Sequence, residues 1–243
     1  MKKKAIIVGA TSGIGLEVAK LLSAKGWELG IAGRRVQLLE QISKEMPGVK
    51  AYEAIDITQE NAPILLDRLI GQMGGIDLYF HSSGIGYQNP SLDVDKEMQT
   101  VETNAMGFTR MMTKIFHYFA QNGGGHIACI SSIAGTKGLG AAPSYSSTKR
   151  FQNHYMECLQ QLAHMKGYPI TFTDIRPGFV ATDLIKDGKY PMKLTAVEVA
   201  KEIVDALEKK KPVVVIDWKY RILVNLWKLV PRWIWVRLNI STK

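Results

Sequence analysis

Apolar positions along this chain alternate between two spacings. Ala5–Val8 is a short continuous apolar run, whereas Ile14–Leu22 places Ile14, Val18, Leu21 and Leu22 at helical intervals. The same contrast repeats onward. Trp27–Ala32 and Val49–Ala54 predict strands around a helix over Val36–Met46, and Ala62–Met73 predicts a helix before a buried strand over Ile76–Phe80. A long helical pattern covers Met98–Ala120, and Gly125–Ser131 predicts a strand after a triple-glycine turn. Ser144–His164 is helical, Ile170–Ile175 extended, Ala196–Glu208 helical and Val213–Ile216 extended. Seven strands with helices between them imply parallel crossovers and a sheet covered on both faces. The fold class expected is α/β, a single doubly wound Rossmann-type domain over 1–216, with a C-terminal extension over 217–243.

Composition adds one asymmetry. The 243 residues are 46% apolar and 22% charged, which suits one sizeable core and excludes disordered and fibrous classes. Cys129 and Cys158 are expected to be buried thiols of a reducing, cytoplasmic compartment. Residues 1–208 hold 22 Lys and Arg against 21 Asp and Glu, while 209–243 hold 9 against the single acid Asp217, so nearly all of the +9 net charge lies at the C-terminal end. Four of the five tryptophans lie there too. From Trp218 the pattern is amphipathic: Ile222, Leu223, Leu226, Trp227, Val230, Trp233 and Ile234 on one face, Arg221, Asn225, Lys228 and Arg232 on the other, with Pro231 starting a second short helix. A basic amphipathic segment with boundary tryptophans suits an anionic membrane surface, so residues 218–238 are expected to make peripheral membrane contact. The competing expectation is packing on the core or a partner subunit. No nucleic-acid reader motif accompanies the charge, and no membrane-spanning run is long enough.

The first predicted strand leads into Gly9-Ala10-Thr11-Ser12-Gly13-Ile14-Gly15 and then a helix. Glycines here permit a tight turn and close backbone approach to a pyrophosphate, which the helix N-terminus attracts. After the second strand, Gly33 stands where an acid would bond a ribose 2′-hydroxyl, and Arg34 and Arg35 follow. Two guanidiniums without a carboxylate favour a 2′-phosphate, so NADP(H) is expected over NAD(H), with Ser12 adding a donor. Tyr145-Ser-Ser-Thr-Lys149 places a phenol and an ammonium on one helix face, where the ammonium is expected to lower the phenol pKa. Ser132, 13 residues earlier, ends a predicted strand at the edge that forms ligand crevices in such sheets, with Ser131 as the alternate serine.

This ordered set resembles the short-chain dehydrogenase/reductase family over roughly residues 4–215. The resemblance implies catalytic roles for Asn104, Ser132, Tyr145 and Lys149, with Asn104 holding a water that links the lysine to solvent. It also implies cofactor contacts at Gly9, Thr11, Ser12, Gly13, Ile14, Gly15, Arg34, Arg35, Asp56, Ile57, Ser83, Gly84, Pro177, Gly178, Val180 and Thr182, besides Tyr145 and Lys149. No metal site is assigned. His81-Ser82-Ser83-Gly84 departs from the family's usual Asn-Asn-Ala-Gly at three of four positions, and His81 is expected to be a packed strand-end residue. Gly135–Pro143 and Leu184–Leu194 are the expected substrate segments, the second a flap bearing Lys186, Lys189 and Lys193.

The activity implied is NADPH-dependent reduction of a ketone to a secondary alcohol. Basic, Trp-containing extensions in similar reductases suggest an apolar or lipid-like substrate of the 3-ketosphinganine, 3-oxoacyl or polyprenyl-linked keto-sugar type. The alternatives are an idle dinucleotide-binding sensor or scaffold, and an epimerase or dehydratase on the same fold. A homodimer or homotetramer is expected, at the membrane surface or free in the cytoplasm.

Overall fold

The computed structural model describes residues 2–183, 190 and 192–240; most of the Leu184–Leu194 flap, with Lys186 and Lys189, lies outside them. Seven strands form one parallel sheet: β1 (Lys4–Val8), β2 (Glu28–Gly33), β3 (Val49–Ala54), β4 (Leu78–His81), β5 (Gly125–Ile130), β6 (Ile170–Arg176) and, after the short β7 (Val180–Ala181) and β8 (Leu194–Thr195), β9 (Val213–Val215). Their order is β3-β2-β1-β4-β5-β6-β9. The chain therefore reverses direction between β1 and β4, where open α/β sheets leave a crevice beyond the strand ends. Register places Val8 beside Ala32 and His81, and His81 beside Cys129, so these strands end together at the crevice.

Period-two alternation divides the strands between two cores. Ile6 and Val8 face α3 (Ala62–Met73), α5 (Phe108–Gln121) and α6 (Pro143–Lys166), whereas Ala5 and Ile7 face α1 (Gly13–Ala24), α2 (Val36–Glu45) and α7 (Ala196–Glu208). Burying both faces explains why the strands read as continuous apolar runs.

Three expectations need correction. The predicted single helix over Met98–Ala120 is α4 (Val94–Val101), a π-helical stretch over Glu102–Gly107, and α5. One extra residue per turn leaves apolar periodicity nearly intact, so the pattern did not reveal it. Cys129 is buried but Cys158 is exposed, because the buried face of α6 runs through Gln152, Met156, Leu159 and Ala163. In the C-terminal α8 (Trp218–Leu229) and α9 (Arg232–Trp235), the inward residues are Tyr220, Val224 and Trp235, with Leu223 and Trp227 partly covered. Ile222, Leu226 and Trp233, predicted on one face with Leu223 and Trp227, point to solvent. The apolar arc is wider than the surface available to cover it.

The C-terminal helices α8 and α9 are anchored to the rest of the chain. Trp235 Nε1 donates to Gly138 O at 2.7 Å, and Lys137 Nζ to Val230 O at 2.8 Å. Tyr220 OH accepts from Phe179 N at 3.1 Å and donates to Met192 O at 3.0 Å. Among the described residues no helix is long and apolar enough to cross a membrane.

Candidate active site

The turn after β1 is built by contact as much as by conformation. Gly9 has φ +91°, and a Cβ there would stand 2.7 Å from Ser83 N; a Cβ on Gly15 would stand 2.2 Å from Gly9 O. Only bare backbone fits, which draws β1, α1 and the end of β4 into one cradle. No side chain caps the first turn of α1, so its N–H groups keep their capacity for an anion. Ile14 packs partly into the core beneath. Thr182 closes the cradle from β7's side, its Cγ2 lying 3.2 Å from the position of a Cβ on Gly13.

Arg35 folds onto this turn. Its Nη2 donates to Thr11 Oγ1 and Ser12 Oγ, both at 2.7 Å, while its Nε reaches Thr11 Oγ1 at 3.1 Å. Arg34 is exposed beside it. A Cβ on Gly33 would stand 3.2 Å from Thr11 Cγ2, so a longer side chain would crowd the turn that Arg35 occupies. Asp56 Oδ1 is engaged by Thr58 N at 3.0 Å and Thr58 Oγ1 at 2.8 Å. Ile57 packs its side chain in the core, and its carbonyl accepts from Arg110 Nη1 at 2.9 Å.

On the other side of the reversal, α6 brings Tyr145 and Lys149 one turn apart, with Nζ 5.7 Å from the phenol ring centroid. Ser132, just past the end of β5, is buried beside the Tyr145 phenol and helps hold its pKa down. Its Oγ also accepts from Ala134 N at 3.1 Å and donates to Pro177 O at 3.4 Å, so β5 and the Pro177-Gly178 segment share one hydroxyl. Ser131 points elsewhere, to Asp174 and to Ile175 O at 3.2 Å, and Asp174 in turn is paired with Arg176 at 2.7 Å. Of the two serines, Ser132 is the one beside Tyr145. Val180 is buried beneath this segment, and a Cβ on Gly178 would overlap the Tyr220 ring at 2.2 Å.

Lys149 is 4% exposed and donates to Ile130 O at 3.0 Å and Gln152 Oε1 at 2.9 Å. Burial lowers its pKa to about 8, with Cys129 and Asp174 opposing. The expected lowering of the Tyr145 pKa does not hold: burial raises it, and the neighbouring Ser132 hydroxyl only partly offsets this. Asn104 lies in the π-helical stretch, fully buried; its Oδ1 accepts from Ile85 N at 2.9 Å and its Nδ2 donates to Ile85 O at 2.6 Å. Gly84 packs over this pair, a Cβ there being 3.3 Å from Asn104 Oδ1 and 3.5 Å from Lys149 Nζ.

Three residues were missed from the sequence. Gly86 lies flat on Tyr145, a Cβ there falling 2.3 Å from ring Cδ2. Gln152 holds Lys149, and Tyr220 reaches the crevice from the extension. A fully buried glutamine three residues after the lysine is a signal only once the helix face is known. His81 is packed as expected, its Nδ1 2.9 Å from Tyr79 OH, but Nε2 has no hydrogen-bond partner of normal geometry among the described residues. Burial, then the Lys149 charge, lower its pKa to about 3 against the Ser83 backbone.

A Rossmann-type sheet with a glycine cradle on one side of its reversal and a Ser–Tyr–Lys group on the other defines a dinucleotide-dependent oxidoreductase class. The short chain dehydrogenase family model matches residues 3–190, and the chain belongs to that family. Dehydrogenase/reductase SDR family member 7B of Bos taurus is 28% identical, over 93% of this chain and 77% of its own. A short chain dehydrogenase from Burkholderia cenocepacia, solved in complex with NADP, has TM-score 0.85 at 20% identity, covering 99% of this chain and 98% of its own. A Burkholderia phymatum family member, solved in complex with NAD, has TM-score 0.82 at 19% identity, covering 100% and 96%. These two likenesses establish the fold.

Proposed function

We propose that this short-chain dehydrogenase reduces a ketone to a secondary alcohol with NADPH. The observation that carries the reading is the convergence of Ser132, Tyr145 and Lys149 at the strand ends, across the sheet reversal from the glycine cradle. The cofactor supplies hydride when bound. Gly9, Gly13 and Gly15 would let the backbone approach its pyrophosphate, with Thr11, Ser12, Ser83, Gly84, Asp56 and the backbone of Ile57 along its length. Arg35, held at 2.7 Å from Thr11 and Ser12 hydroxyls, and the exposed Arg34 supply donors for a 2′-phosphate, which favours NADP(H) over NAD(H). Pro177, Gly178, Val180 and Thr182 would flank the nicotinamide.

Ser132 Oγ and Tyr145 OH donate to the ketone oxygen as negative charge develops there. A phenol held above its ordinary pKa by burial is fully protonated at neutral pH, the form a reductive general acid requires. Lys149, with a pKa of about 8, is mostly ammonium at neutral pH and stabilises the phenolate left after proton transfer.

The substrate proposed is apolar or lipid-like, met at an anionic membrane surface. Supporting this, Trp218, Leu226 and Trp233 are 60%, 56% and 65% exposed on α8 and α9. Lys219, Arg221, Lys228 and Arg232 are exposed on the same two helices, and Tyr220 of α8 ties them to Phe179 and Met192. Homodimers or homotetramers would form through α5 and α6, where Phe151, Leu162 and Met165 are exposed on α6.

NADPH oxidation against a ketone panel that includes long-chain 3-keto compounds tests the reaction; oxidation with none of them would reject it. Co-sedimentation with phosphatidylglycerol vesicles tests the surface. Deleting the extension would uncover the Tyr220 cluster, so the comparison is with the full chain carrying Trp218→Ser, Leu226→Ser and Trp233→Ser. Equal binding by both forms, or by neither, removes the membrane reading.

A further inference from the structure

The lysine of the site is tethered by an amide. Lys149 Nζ donates to Gln152 Oε1 at 2.9 Å, and Gln152 Nε2 donates to the Asn104 backbone carbonyl, also at 2.9 Å. The orientation of this amide is forced: an ammonium only donates and a carbonyl only accepts, so oxygen must face Lys149 and nitrogen Asn104. All three residues are sealed from solvent, Gln152 and Asn104 at 0% exposure. The Asn104 side chain is itself committed to both backbone groups of Ile85, so the π-helical stretch is a fixed anchor.

We infer that Gln152 is a positioning residue that takes the station of a bridging water between Lys149 and Asn104, fixing the ammonium and insulating it from solvent on that side. The resemblance to the family implies a water held by Asn104 that links the lysine outward; here a covalently tethered amide accepts from Lys149 and donates to the Asn104 backbone carbonyl. A water can pass a proton along by exchanging its own. A carboxamide cannot do so without forming its costly imidic acid, so the proton that restores Tyr145 does not pass through Gln152. The Oε1 dipole also favours the charged form of Lys149, opposing the burial that disfavours it.

The other titratable groups around Lys149 are Tyr145 on its own helix, His81 on β4, Cys129 on β5, and Asp174 with Arg176 on β6. They are unchanged in the variants that test the inference. The inference rests on the proposed reaction only for its kinetic consequence, so the primary readout needs no substrate. In protein labelled with ¹⁵N-lysine, the Lys149 Nζ resonance, assigned by its loss in Lys149→Met, is titrated by NMR. Gln152→Met keeps the volume and removes the acceptor; its midpoint should fall by about one pH unit, the usual worth of a hydrogen bond to a charge. Gln152→Glu places a carboxylate at the same distance and should raise the midpoint by about one unit or more. It reads the sign by itself if Gln152→Met does not fold.

In ketone reduction the alkaline limb of kcat should move in the same two directions with the ketone KM nearly unchanged, a pattern that loss of packing alone does not produce. Midpoints equal to the wild type, or moving in the same direction, would overturn the inference. Opposite shifts in a protein that reduces no ketone would uphold the bridge and count against the proposed reaction.

Discussion

Gly86→Ala tests whether the position of the Tyr145 ring sets the rate. Gly86 has no positive φ to be strained, so the whole effect is one of contact. The added methyl would lie 2.3 Å from Cδ2, 2.7 Å from Cε2 and 2.9 Å from Cγ of the ring. Carbon atoms prefer separations of about 3.5–4.0 Å, so the ring or the Gly86 backbone must retreat by more than ~1 Å. The clash reaches Cγ, near the root of the side chain, so swinging the hydroxyl end aside does not relieve it. A misplacement of about 1 Å at a reacting group costs on the order of 100-fold in rate. We expect kcat for ketone reduction to fall by about that factor, with the KM for NADPH within about threefold of wild type, since the glycine cradle lies across the sheet reversal. Initial rates at saturating NADPH measure this, beside a thermal melt to confirm folding. A folded variant with wild-type kcat would refute the claim that ring position controls the chemistry.

Other outcomes follow from the same geometry. Arg35→Ala removes a charge-assisted donor worth about 1.5–3 kcal/mol to a phosphate, so kcat/KM for NADPH should fall roughly 10–100-fold while that for NADH stays level; equal losses with both would withdraw the 2′-phosphate role. His81 and His126 have pKa values lowered to about 3 and about 4 by burial, so the unfolded chain binds more protons as pH falls below about 6.5. Stability is therefore fully present above that pH and declines below it, by about 2 kcal/mol per histidine at pH 5. Urea unfolding at pH 7 and pH 5 checks this, and a His81→Gln variant should lose less between the two; identical losses would mean His81 is protonated in the fold. Tyr220→Phe strands the Phe179 N–H and removes the donor to Met192 O, for a loss of about 1–3 kcal/mol, and an unchanged urea midpoint would show the extension is not anchored there.

What the sequence disclosed follows from the range of the forces involved. Strand and helix order was legible because burial on both sheet faces writes continuous apolar runs at Ala5–Val8 and Ile76–Phe80, and one-sided burial writes helical spacing at Val18 and Leu22. The placing of the glycine turn, Arg35 and Ser132 at strand ends, and of Tyr145 and Lys149 one helical turn apart, was legible because that spacing is local. The π-helical stretch at Asn104 was hidden because its extra residue serves a tertiary pairing with Ile85, not a periodic face. Gly86 and Gln152 acquire meaning only when α6 is laid against the segment after β4, a contact across the chain. The extension was half legible: its amphipathicity was apparent, but Tyr220 packs inward because Gly178 leaves it space.

The central claim is that Tyr145 supplies the proton for ketone reduction. The most direct measurement is Tyr145→Phe assayed at saturating NADPH on a ketone the wild type reduces, with NADPH affinity read independently by its fluorescence. Cofactor affinity should be unchanged and kcat lower by about 100-fold or more, within the usual range for a positioned general acid. A variant that binds NADPH normally and keeps a substantial fraction of wild-type kcat would contradict it.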